Sequence, residues 1–203
     1  MTGIVLAGGR SSRMGKDKAE LPWQGGTMLS AAVDKLALFC KEIIVVGPQR
    51  TLDRNVRWTQ DRYVGKGPLA GLHAGLEEAS DDSVLIVPCD MPTLPVRVLE
   101  EIVKLAGTGE FDVVLPVHSD GNEPLCTWLS KPACLPVIRR LLEEGHTCPL
   151  DIYPHVRVGE LDMEKIFSQA EVEKIFANLN SPVDYEAAKK EVLTKTCCTN
   201  TQS

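Results

Sequence analysis

The sequence predicts a doubly wound α/β protein, a mostly parallel sheet buried between helices on both faces. Short apolar, β-branched runs recur at Ile4–Ala7, Ile43–Val46, Val84–Val87 and Val113–Val117. Each is apolar at odd and even positions alike, as strands covered by helices on each side must be. The stretches between them space their apolar residues at helical intervals.

The elements follow in order. After the first run, Gly25-Gly26-Thr27 leads into Met28–Phe39, where Leu29, Ala32, Val33, Leu36 and Leu38 define an amphipathic helix. Leu69–Ala79, Val96–Leu105 and Leu135–Glu144 repeat that pattern and are predicted helices. Gly121–Leu129 and Val156–Leu161 are predicted to add two strands, and Val183–Val192 a last helix. Residues 194–203 are polar and aperiodic, which predicts a disordered tail after a single domain over residues 1–193.

A chain of 203 residues, 43% hydrophobic and 25% charged, is long enough for one sizeable core. Its formal net charge of −6 excludes a broad electrostatic grip on nucleic acid or an anionic membrane. Any phosphate must therefore be held locally. The seven cysteines, Cys40, Cys89, Cys126, Cys134, Cys148, Cys197 and Cys198, include no C-x-x-C pair. With no leader-like or spanning apolar segment, the expectation is a cytoplasmic protein with reduced thiols.

Directly after the first run comes Leu6-Ala7-Gly8-Gly9-Arg10-Ser11-Ser12-Arg13-Met14-Gly15-Lys16-Asp17-Lys18. Adjacent glycines let a backbone approach a ligand closely, and successive N–H groups can converge on an anion. Arg13, Lys16 and Lys18 add positive charge beside them. Five residues separate Gly9 from Gly15 and Asp17 follows Lys16, so the spacing is not that of a Walker A loop. Neither glycine opens a G-x-G-x-x-G fingerprint. A phosphate cradle and a plain tight turn with a solvated basic face both remain open at this point.

The run Val84–Val87 ends in Pro88-Cys89-Asp90-Met91-Pro92, which puts a carboxylate at the strand end where open α/β sheets bind ligands. Asp90 is the candidate magnesium ligand, because Mg²⁺ takes one or two carboxylates and completes its shell with water and phosphate oxygens. The other duty open to Asp90 is to cap the helix that begins near Pro95. Cys89 has no base partner in sequence and is assigned as a small buried filler. His73, His118, His146 and His155 have no metal-ligand spacing and are assigned structural or surface roles.

These motifs, with Gly67-Pro68-Leu69-Ala70-Gly71-Leu72 and Asn178-Leu179-Asn180-Ser181-Pro182, occur in an order that resembles the molybdenum cofactor guanylyltransferases over Ile4 to about Ala188. The opening motif alone is shared across the nucleotidyltransferases, whereas the Gly67 and Asn178 segments are narrower. The resemblance implies a glycosyltransferase-A-like, three-layer α/β/α fold with a Rossmann-like sheet. It implies transfer of GMP from GTP to molybdopterin, or molybdenum cofactor, with release of pyrophosphate. Leu6, Ala7, Gly8, Gly9, Arg13, Lys18, Asp61 and Asp90 would then bind the nucleotide, with Asp61 on its base or ribose. Asp90, Lys18 and Arg13 would be the catalytic set, with Asp90 on Mg²⁺. Gly67, Gly71, Asn178 and Asn180 would shape the pterin side, and molybdoenzymes or cofactor-delivery proteins would receive the product. Where that family often has Asn after the second strand, this chain has Gly47. The alternatives are a cytidylyltransferase or sugar nucleotidyltransferase, and a non-catalytic nucleotide-binding regulator.

Overall fold

The structure is a computed structural model and describes residues 1–8, 17–63, 65–177, 179 and 183–190. Its strands are β1 (Thr2–Leu6), β2 (Pro22–Trp23), β3 (Gly26–Thr27), β4 (Glu42–Val46) and β5 (Arg57–Thr59). They continue with β6 (Ser83–Pro88), β7 (Val113–His118), β8 (Gly121–Asn122), β9 (Thr127–Ser130) and β10 (Val158–Asp162). The helices are α1 (Met28–Leu36), α2 (Gly67–Glu78), α3 (Val96–Ala106), α4 (Lys131–Glu143) and α5 (Gln169–Ile175). Residues 183–190 are also helical. The predicted tail, 194–203, lies outside the described residues.

The main sheet runs β10-β7-β9-β6-β1-β4-β5, with β8 paired to β7. The β10–β7, β6–β1, β1–β4 and β4–β5 pairs are parallel, while β9 is antiparallel to β6 and β7. Successive side chains of a strand point to opposite faces, so even an all-apolar strand feeds two cores. Val5, Val45, Leu85 and Val87 pack with Leu29, Val33, Val98, Leu99, Ile102 and Val172, from α1, α3 and α5. Ile4, Ile44, Val84 and Ile86 pack on the other face with Leu69, Leu72, Leu76, Ile138 and Leu141, from α2 and α4. These are the predicted three layers. Among the described residues no helix is long and apolar enough to cross a membrane.

One expectation is corrected. Gly121–Leu129 is not one strand: β8 ends at Asn122, a turn intervenes, and β9 starts at Thr127. Pro124 has no N–H to donate, and Cys126 N donates to the Glu123 carbonyl at 3.1 Å, so the chain folds back there instead of extending. The four apolar runs all point the same way, as a mostly parallel sheet requires, with the antiparallel β9 inserted between β6 and β7. A smaller cluster of Leu21, Trp23, Met28, Leu179 and Tyr185 ties the β2–β3 hairpin to the C-terminal segment.

His73 is the polar exception in the α2 core. It is buried, edge-on to Tyr63 at 5.1 Å between ring centroids, and among the described residues neither ring nitrogen has a hydrogen-bond partner. Burial holds its pKa below the ordinary 6.5, against the opposing pull of the Glu77 carboxylate. The unfolded chain therefore takes up this proton first as pH falls, so stability should decline below about pH 6.5 and recover above it. His73→Leu is expected to flatten that decline when unfolding midpoints at about pH 8 and 5.5 are compared; an unchanged acid slope would acquit His73.

Candidate active site

The register brings three strand ends side by side. Leu6 is opposite Val46 on β4 and opposite Pro88 on β6. Ala7 N donates to the Val46 carbonyl at 2.9 Å, and Cys89 N to the Leu6 carbonyl at 3.0 Å. Beyond these ends lies a cleft of about 850 Å³ lined by Leu6, Ala7, Gly8, Lys18, Asp61, Gly67, Gly71 and Asp90 among others. The structure thus gathers all eight described members of the predicted site into one cavity. Gly9, Arg13, Asn178 and Asn180 lie outside the described residues.

Asp90 follows the last residue of β6 and keeps about a third of its side chain exposed. It does not cap α3, whose N-cap is Pro95 without a side-chain hydrogen bond. Lys18 Nζ stands 3.7 Å from Asp90 Oδ2. Lys18 opens a short 3₁₀ turn, Lys18–Glu20, whose N-cap Asp17 accepts from Ala19 N at 3.1 Å. The other oxygen of Asp17 takes the Arg50 Nε proton at 2.7 Å, and the Arg50 side chain is buried. Arg50 also donates to the Pro48 carbonyl, so it fastens the Lys18 turn to the loop after β4.

The Asp90 turn is braced from two sides. Lys35 Nζ on α1 donates to the Pro92 carbonyl at 2.5 Å, and burial lowers its pKa to about 8. Leu179 N donates to the Asp90 carbonyl at 3.4 Å, which ties Leu179 to the turn after β6. Cys89 is buried with its thiol pushed up to about 12, chiefly by desolvation and then by Asp90, which suits a filler and not a nucleophile.

On the nucleotide side implied by the sequence, Asp61 follows β5. Its Oδ1 is buried without a hydrogen-bond partner among the described residues, and desolvation raises its pKa although the Tyr63 amide opposes the shift. An orphaned buried oxygen lining a cleft is a group waiting for a donor. Gly67 starts α2 with φ +66° and Pro68 follows it, which aims the helix N-terminus into the cleft. That end carries the positive pole of the helix, with Leu69 N donating to the Thr147 carbonyl at 3.3 Å.

Arg50 and Lys35, which brace the turns carrying Lys18 and Asp90, are residues that the sequence reading missed. Arg50 and Lys35 are joined to their partners across 33 and 57 residues, a relation that no local pattern announces. Only the position of Arg50, just past Gly47-Pro48 at the end of an apolar run, hinted at the cleft.

A sheet with a glycine turn, a lysine and a carboxylate at adjacent strand ends, facing a helix N-terminus, defines a nucleotidyltransferase. Residues 3–155 match the model of the MobA-like NTP transferase domain, and the chain belongs to that family. It is 32% identical over 196 residues to the molybdenum cofactor guanylyltransferase of Desulfosudis oleivorans, covering 95% of this chain and 96% of the relative. It is 34% identical to a protein of Pelotomaculum thermopropionicum named "Probable molybdenum cofactor guanylyltransferase", covering 93% and 91%. Among solved structures, molybdopterin-guanine dinucleotide biosynthesis protein A from Archaeoglobus fulgidus matches with a TM-score of 0.79 at 25% identity, over 96% of this chain and all of that one.

Proposed function

We propose that this enzyme transfers GMP from GTP to molybdopterin, or to the molybdenum cofactor, releasing pyrophosphate. The observation that carries the reading is the end-to-end similarity to guanylyltransferases, over more than nine-tenths of the chain. The cleft supports it, with Lys18, Asp61 and Asp90 all in its lining.

A terminal phosphate oxygen of the pterin substrate attacks the α-phosphorus of GTP. The bond from that phosphorus to the bridging oxygen breaks, and pyrophosphate leaves with the electron pair. The nucleophile is already an anion, so the protein has no proton to remove from it; its task is alignment and neutralisation of charge. Lys18, Arg13 and the backbone amides at Gly8 and Gly9 stabilise the triphosphate and the leaving group. Leu6 and Ala7 line the nucleotide, and the orphaned oxygen of Asp61 takes a donor from its base or ribose. Gly67, Gly71, Asn178 and Asn180 form the pterin side.

The donor set fits a hard cation that keeps most of its waters. Asp90 is partly exposed at the cleft, and no group of three metal-binding side chains exists among the described residues to strip a cation of its shell. Asp90 would hold Mg²⁺, which supplies polarisation of the phosphoryl oxygens. The reaction is assigned to the cytoplasm, in keeping with unpaired thiols at Cys40, Cys89, Cys126 and Cys134, and its product to molybdoenzymes or the proteins that load them.

The test is pyrophosphate release in magnesium with molybdopterin as acceptor and GTP, CTP, ATP or UTP supplied separately. Release with GTP is expected. Preference for CTP would move the enzyme to the cytidylyl branch, and silence with all four would overturn the transfer reading.

A further inference from the structure

The charged side chains in the described lining of the cleft are Asp17, Asp61 and Asp90 against Lys18. Carboxylates facing a triphosphate repel it unless each is answered. Asp61 offers its orphaned oxygen to a donor, and Asp90 is placed for a cation. Asp17 has neither duty, although it directly precedes Lys18 and its side chain is 38% exposed.

Arg50 answers Asp17. Its side chain is only 8% exposed and does not line the cleft, and its Nε donates to Asp17 Oδ2 at 2.7 Å. The guanidinium is itself held, because Nη1 donates to the Pro48 carbonyl at 3.0 Å, and Pro48 is in the lining. The planar fork fixes both directions at once, which a lysine ammonium cannot do. The other oxygen of Asp17 accepts from Ala19 N at 3.1 Å and caps the 3₁₀ turn that Lys18 opens. One carboxylate thus joins the loop after β4 to the turn whose Lys18 Nζ stands 3.7 Å from Asp90 Oδ2.

Resting on the transfer reading above, we propose that Arg50 is a positioning residue that fits the cleft to a triphosphate: it cancels the charge of Asp17 and, through that carboxylate, fixes the turn that presents Lys18. Without Arg50, Asp17 would set an uncompensated negative charge beside Lys18, and the turn would lose its tie to Pro48. The loss falls on the leaving β- and γ-phosphates that Lys18 stabilises. GTP binding should therefore suffer far more than GMP binding, whereas a general loosening of the cleft would weaken both alike.

Calorimetric titration with GTP and with GMP in magnesium needs neither acceptor nor turnover. The ratio of GTP to GMP affinity is expected to fall at least about tenfold in Arg50→Met, the size of a lost charge-assisted contact, with GMP affinity held within about twofold. Arg50→Lys keeps the charge without the fork and should recover part of the ratio, which also gives the comparison if Arg50→Met does not fold. In a chain already carrying Asp17→Asn, Arg50→Met should cost no more than about twofold, because the two residues act as one unit. Arg157→Met is the control. It breaks the pair with Asp112 at the starts of β7 and β10, the sheet end away from the cleft, and should lower the unfolding midpoint without moving the ratio. In turnover, Arg50→Met should raise KM for GTP and leave KM for molybdopterin unchanged. Equal weakening of GTP and GMP, or the full loss from Arg50→Met in the Asp17→Asn background, would overturn the assignment. If the wild type forms no guanine dinucleotide the transfer reading falls, and the titrations still decide for or against Arg50.

Discussion

Asp90→Asn is expected to lower the turnover of GMP transfer by at least about a hundredfold while shifting the unfolding midpoint by no more than about 2 °C. Asparagine keeps the side-chain volume and the backbone carbonyl that accepts from Leu179 N, so the turn after β6 retains its anchor. The ion pair lost with Lys18 is 3.7 Å long and partly exposed, a geometry that contributes little to stability. On the proposed mechanism, what disappears is the full negative charge that would hold a hard cation against the triphosphate. Single-turnover pyrophosphate release separates this chemical loss from substrate binding, and Mn²⁺ titration of the GTP complex followed by electron paramagnetic resonance reads the cation directly. Wild-type turnover at saturating magnesium would remove Asp90 from the metal site.

The parts of the molecule legible in the sequence are those written in contiguous residues. The buried strands showed as apolar runs, and α1, α2, α3 and α4 as 3.6-residue periodicity, because each must satisfy a core by itself. Gly8 and Asp90 were legible since each stands just beyond such a run, where parallel strands open into ligand space, and Lys18 because it belongs to the basic cluster that follows the glycines. β5 was not legible: Arg57, Trp58 and Thr59 carry no apolar run, and their strand exists through pairing with β4. α5 buries only Val172 and Ile175 in seven residues, too short a stretch to establish a period. His118 and Glu123 are five residues apart and meet across the tight turn between β7 and β8, a pairing that no local apolar pattern announces.

Gly47→Ala is expected to damage fold and nucleotide site together, and the reason lies in how β4 ends. Gly47 sits at φ +148°, and a β-carbon there would come within 2.8 Å of the Ala7 carbonyl oxygen and 2.9 Å of its carbon. Both are backbone atoms of the glycine turn, fixed because Ala7 N bonds the Val46 carbonyl and Gly47 N the Thr59 carbonyl, each at 2.9 Å. No flexible side chain can yield, so the strands must part or the turn must move. The cost is about 3 kcal/mol, which for a chain of this size lowers the midpoint by roughly 9 °C. Since Ala7 and Gly8 line the cleft, the same displacement should raise KM for GTP by at least about tenfold, as a misplaced contact typically does. This also accounts for glycine where an asparagine would otherwise offer a side-chain contact: as the strand ends are set here, the position has no room for one. Gly71→Ala is the control, because its added methyl meets Leu6 Cδ2 at 3.5 Å, an ordinary contact, within a helix that favours alanine. Gly71→Ala should keep or raise the midpoint, so any loss of transfer there reports the cleft alone. A Gly47→Ala protein with unchanged midpoint and KM would mean that the glycine turn does not depend on the end of β4.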